Sequence, residues 1–248
     1  MNAGEKRFTI LLLILLICSY PILTEPIRIR SEEFTFIYLT GDSSIDNREA
    51  GSVLRKFSEL FMETLRKELD RLNVRRPNEA SIFVAGTPTI FQVYSGQPKY
   101  SAGYCSQDRR ILYFQRPNLL DGRGILEKTI QHEICHFLLP VSGKNDSHWL
   151  EESYCETLYP INSERSAPSN LVFPERWRIF QKELNKSLTQ GSIKDRKIAY
   201  QKARRWGAWL LKKETEKGFR KLLEIETPDG KWEKVYAIFL MNRKEYSP

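Results

Sequence analysis

Gln131-His132-Glu133-Ile134-Cys135-His136 places two of the chain's three histidines four residues apart, with a glutamate between them. Around it Leu126, Ile130, Ile134, Phe137 and Leu138 recur at steps of three and four, the period of an α-helix. On that helix positions i and i+4 lie about 40° apart, so both imidazoles point one way and can share one metal ion. The apolar residues centre on the opposite face. Glu133, about 100° further round, can reach a water on such an ion without binding it. Asn118 or Asp121 is expected to cap the start of the helix, and Pro140, with Gly143 behind it, to end it.

Two histidines and a water leave a catalytic zinc one protein ligand short. A metzincin pattern would need glycine and histidine three and six residues after His136; Leu139 and Ser142 stand there, which excludes that class. Downstream, Asn145-Asp146-Ser147 reads as capping residues before a helix that can run from His148 to Pro160. Trp149, Tyr154 and Leu158 form its apolar stripe, while Glu152 and Glu156 share another face. Spacing leaves two roles open for Glu151, Glu152 and Glu156: one supplies the missing ligand, or all complement the positive helix N-terminus.

His132-Glu133-Ile134-Cys135-His136 together with Trp149-Leu150-Glu151-Glu152-Ser153-Tyr154-Cys155-Glu156 resembles the gluzincin metallopeptidases, in particular the peptidase MA-like group. Their pattern is H-E-x-x-H followed by W-L-x-E-G on the next helix. The resemblance implies a zinc ion held by His132, His136 and Glu152, with Glu156 orienting a ligating histidine. Ser153 departs from the family's glycine. Ser101-Ala102-Gly103-Tyr104 with Arg110-Ile111-Leu112-Tyr113-Phe114 resembles the family's edge strand, which pairs with substrate backbone. On this reading the Ile111 strand aligns a peptide or protein substrate. The helix around Tyr200-Gln201-Lys202-Ala203-Arg204-Arg205-Trp206 resembles one that carries an oxyanion-binding tyrosine in related aminopeptidases, which implies that role for Tyr200; its bland counterpart is ordinary packing. The implied activity is hydrolysis of peptide bonds by a zinc-held water, with Glu133 as general base. A rival expectation is a catalytically silent relative that keeps the scaffold as a binding module at the cell envelope.

Residues 1–30 read as a targeting segment and 31–248 as one domain. Lys6-Arg7 precedes an apolar run over residues 8–23, interrupted by Pro21. Three readings fit: a signal peptide cut near Ile17-Cys18-Ser19, an uncleaved anchor in the membrane through residues 8–23, or a lipoprotein acylated on Cys18. Each puts the rest of the chain outside the cytoplasm. Of 39 basic and 31 acidic residues the leader holds four and two, leaving 35 against 29. Eleven Lys and Arg against three acids lie between Ser192 and Leu222. That excess suits the solvated face of helices, with attraction to an anionic surface as the second reading. No nucleic-acid motif accompanies it.

Cys105, Cys135 and Cys155 follow the leader. Cys135 and Cys155 are expected to act as small buried hydrophobes, a disulfide between two of the three remaining open. Strands are expected at Phe34–Thr40, Ser81–Ala85 and Ile111–Phe114, and a long helix from about Asp46. Further helices are expected at about Arg176–Leu188 and Ile193–Leu223, while Lys231–Met241 is ambiguous, with helix slightly ahead. Strands first and helices last indicate an α+β domain, and the resemblance adds a zincin-like arrangement: a small N-terminal sheet, the H-E-x-x-H helix and a C-terminal helical lobe.

Overall fold

The computed structural model describes residues 25–40, 46–75, 77, 79–106, 108, 110–139, 148–161, 171–224 and 229–242. The apolar run at 8–23, Pro140, Gly143 and Asn145–Ser147 lie outside them, as do Gly41-Asp42, which reads from sequence as a turn, and 162–170 of the segment from Pro160 to Pro174, which reads as a loop rich in Ser, Pro and Asn. The fold is α+β, with a small sheet and mostly helix. Strands β1 (Ile27–Ser31), β2 (Phe34–Leu39), β3 (Ala80–Ala85), β4 (Gly103–Ser106) and β5 (Ile111–Phe114) lie in the order β1-β2-β3-β5-β4. β2, β3 and β5 run parallel; β1 and β4 close the two edges antiparallel.

Parallel neighbours need a crossover. Helix α1 (Asn47–Leu72) makes the one from β2 to β3, starting at Asp46, whose carboxylate accepts the Arg48 N–H. Its Leu54, Phe57, Phe61 and Leu65 are buried with Phe34, Phe36, Ile82, Val84, Leu112 and Phe114 in the sheet's core. Two expectations change here. Ile27–Arg30, read from sequence as leader, pair with Thr35–Tyr38 as part of β1 and so belong to the sheet. Ile111–Phe114 is not an edge: β5 lies between β3 and β4, because Leu112 and Phe114 are fully buried and Gly103–Ser106 forms the outer strand. Helix α2 (Pro88–Ser95), which sequence periodicity did not reveal, sits between β3 and β4.

Pro117 starts a separate short helix, α3 (Pro117–Gly122), and Gly124 breaks the chain at a positive φ of 65°. Ile125, not Asn118 or Asp121, therefore precedes α4 (Leu126–Leu138), with no side-chain cap. Helices α5 (His148–Leu158), α6 (Trp177–Gln190), α7 (Ile193–Glu224) and α8 (Asp229–Asn242) build the second lobe. All five tryptophans collect in its core, where burying large flat rings dominates the stabilisation. Helix α7 passes against α5 at Gly207, where any Cβ would overlap the Ser153 carbonyl oxygen and the Thr157 hydroxyl. Beyond Leu210, Thr215 takes a left-handed φ of 62° and kinks α7. The next residue, Glu216, pairs with Arg71 of α1 and accepts from the Tyr154 hydroxyl at 3.0 Å, tying the kink to the sheet lobe.

Helix α4 belongs to both cores. Ile130, Ile134 and Phe137 pack against the sheet, while Cys135 and Leu139 join the tryptophan cluster. The face left over carries the histidines.

Candidate metal centre

Ile130 and Ile134 fix the rotation of α4, and that rotation aims His132 and His136 into a cavity of about 620 Å³. Their Nε2 atoms are 3.2 Å apart. Across from them, α5 brings the Glu152 carboxylate, its Oε2 3.5 Å from His132 Nε2 and its Oε1 3.5 Å from His136 Nε2. A tetrahedral ion with bonds of about 2.0–2.2 Å separates its ligands by about 3.3–3.6 Å; the two Glu152 edges fall in that range and the His132–His136 edge just below it. Glu152 Oε2 is buried with no hydrogen-bond partner among the described residues, a costly state that a cation beside it relieves. The buried group His132, His136 and Glu152 can hold a metal ion.

The electrostatics point the same way. Burial opposes charge on His132, but the contact and charge of Glu152, helped by Glu133 and Glu156, outweigh it and raise the imidazole to about 9. His136 is raised in the same manner, against burial, chiefly by Glu152. Burial alone would raise Glu152; the two imidazoles, with His148 further off, hold it well below the usual carboxylate range. A site that favours protons on its nitrogens beside a carboxylate favours a cation between them.

Glu133 stands next to this group and accepts the Cys105 backbone N–H of β4. Burial pushes its carboxyl up to about 7, against the pull of His132 and His136. Gly103 makes room for it: a Cβ there would come within 2.7 Å of the Glu133 carboxylate. The edge strand β4 thus forms one wall of the cavity. Tyr200 of α7 lines the same cavity, and the charge of Glu152, then burial, raises its phenol.

No protein-family model and no curated protein matches this chain. The reading of the site rests on its geometry.

Glu156 lies where its spacing puts it, one turn past Glu152, buried, with Oε2 3.8 Å from His132 Nδ1. The nearer partner of Nδ1 is the Tyr159 carbonyl oxygen at 3.2 Å, which leaves Nε2 for the ion. Tyr159 is itself held, its hydroxyl donating to Glu68 of α1 and the Arg71 guanidinium lying over its ring. No sequence pattern announces a backbone acceptor of this kind. His148, the third histidine, sits one turn before Glu152 with Nε2 3.8 Å from Oε1, half exposed, at an i, i+4 spacing that the sequence itself displays.

The cysteines need correction. Cys135 and Cys155 are not separate buried thiols but a disulfide, and Cys105 is the free one among the described residues. Cys135 precedes His136 and Cys155 precedes Glu156, so the packing that brings the ligand-bearing helices together brings their α-carbons to 5.7 Å. Ser153, at the position where glycine was expected from the resemblance, is fully buried and donates to the Trp149 carbonyl without interrupting α5.

Proposed function

We propose that this protein is a zinc-dependent metallopeptidase of the gluzincin, peptidase MA-like type, with a zincin-like fold, hydrolysing peptide bonds outside the cytoplasm. The observation that carries this reading is the convergence of His132, His136 and Glu152 at ligand separations, with Glu133 buried beside them against an edge strand. His132, His136 and Glu152 hold the ion. When bound, zinc supplies Lewis acidity, polarising the substrate carbonyl and lowering the pKa of a coordinated water toward about 7.

The remaining work falls to the chain. Glu133 takes the proton of the attacking water on its carboxylate and delivers it to the departing amine nitrogen. Tyr200 donates its phenolic hydrogen bond to the carbonyl oxygen as negative charge develops there. Strand β4, rather than β5, offers its outer edge to an extended substrate backbone. Glu156 and the Tyr159 carbonyl steady His132.

The Cys135–Cys155 disulfide supports an oxidising compartment, in keeping with the apolar run over residues 8–23 as a signal or anchor. Among the described residues no helix is long and apolar enough to cross a membrane.

Hydrolysis of a quenched-fluorescence peptide mixture tests the reading. The purified domain should cleave it, chelator should abolish cleavage, added zinc should restore it, and Glu133→Gln should keep the metal but lose turnover. Full turnover by the metal-loaded Glu133→Gln protein removes Glu133 from the mechanism. A metal-loaded wild type that cleaves nothing leaves a binding module.

A further inference from the structure

Arg196 lies in the first turn of α7, nine-tenths buried, on the wall of the cavity that holds the metal group. Its Nε donates to the Gly191 carbonyl at 3.2 Å and its Nη2 to the Thr189 carbonyl at 2.7 Å. Thr189 is in the last turn of α6 and Gly191 in the connection to α7, which closes tightly because Gly191 has no Cβ to meet the Ser187 carbonyl. Those two bonds fix the plane of the guanidinium but bring it no negative charge. Among the described residues no carboxylate pairs with it. Asp108 near β4 and Glu133, Glu151 and Glu156 around the metal group line the same cavity, and none of them forms an ion pair with it. A buried cation met only by neutral acceptors among the described residues is costly, a cost that an incoming carboxylate would relieve.

The end of the guanidinium formed by Nη1 and Nη2 retains its donors, and that edge is the one that takes a carboxylate with two parallel hydrogen bonds. Arg196 and Tyr200 are four residues apart on one face of α7, a rise of about 6 Å, and the charge of Arg196 is felt at the Tyr200 phenol. An extended peptide advances about 3.3 Å per residue. A group bound at Arg196 is therefore one or two residues from a carbonyl beside Tyr200. Lys197 and Arg123 line the same cavity and add to its positive side.

We propose that Arg196 is a specificity-determining residue, selecting peptides with a carboxylate one or two residues from the cleaved bond, either an acidic side chain or a free C-terminus. This rests on the peptidase reading for its cleavage arm and on the cavity alone for its binding arm.

The test uses blocked peptides in matched pairs, Glu against Gln at each position near the cleaved bond, and free acid against amide at the C-terminus. Cleavage is followed with the metal-loaded domain, and equilibrium binding is measured by calorimetry on metal-loaded Glu133→Gln. The carboxylate member of one pair should be favoured by about 10–100-fold, the usual contribution of a charge-assisted hydrogen bond. Whether that pair is Glu/Gln or acid/amide identifies the source. Arg196→Gln should bring the ratio to about one, while Arg196→Lys, which keeps the charge but not the fork, should retain part of it. Circular dichroism confirms that both variants fold. Equal binding within every pair, nil included, or a preference that survives Arg196→Gln, overturns the proposal. Absent cleavage with the binding preference intact counts against the peptidase reading instead.

Discussion

Replacing Cys135 and Cys155 together by alanine asks how far the link between α4 and α5 supports the site. The bond closes a loop across 20 residues of separation, and loop-closure entropy of that size corresponds to roughly 3 kcal/mol at 25 °C. Alanine keeps both buried positions small and apolar, so little packing is lost beyond the sulfurs. For a domain of this length, each kcal/mol moves the midpoint by about 2–4 °C, giving an expected fall of about 6–12 °C. The melt should be run in chelator, since an ion bound by His136 and Glu152 clips the same two helices and would mask part of the loss. Circular dichroism against temperature and urea unfolding are the assays. A double variant that melts within about 2 °C of wild type would refute the assignment of this bond as a stabilising cross-link.

Tyr200→Phe should retain fold and metal while peptide turnover falls about 10²–10³-fold, the usual loss for one oxyanion donor; a near-normal rate would return Tyr200 to packing. Glu156→Ala should weaken metal affinity by about tenfold, near the low end of losses for groups that steady a ligand, because the Tyr159 carbonyl at 3.2 Å is the closer partner of His132; titration with a competing chelator reads it. Gly207→Ala should cost about 1–3 kcal/mol through overpacking of α7 on α5; unchanged urea unfolding would show that the two helices can separate freely.

What was legible in the sequence came from side chains in periodic patterns. The α4 helix follows from the spacing of Ile130, Ile134 and Phe137, and the same spacing put His132 and His136 on one face. The long helix after Asp46 and the strands at Phe34 and Ser81 were readable for the same reason. Glu152 was reachable only as one of three nearby acids until a family pattern singled it out; its distances to the two imidazoles now separate it from Glu151 and Glu156. Features set by pairing between distant segments stayed hidden. β1 is masked by its neighbourhood to the leader. Of the two stretches that resemble the edge strand, Ser101–Tyr104 and Arg110–Phe114, only Gly103 and Tyr104 lie in the outer strand, whose Gly103–Ser106 has too few apolar residues to announce itself. Three cysteines do not state their partners, and a backbone acceptor such as the Tyr159 carbonyl has no sequence signature. That no carboxylate among the described residues pairs with Arg196 likewise depends on which side chains the fold keeps away from it.

The central claim is a single metal ion between α4 and α5. A crystal structure of the zinc-loaded domain with anomalous data across the zinc edge tests it most directly. The account predicts one anomalous peak, with His132 Nε2, His136 Nε2 and a Glu152 oxygen each within about 2.2 Å. No peak at that position, or a peak coordinated by His148 without Glu152, would contradict it.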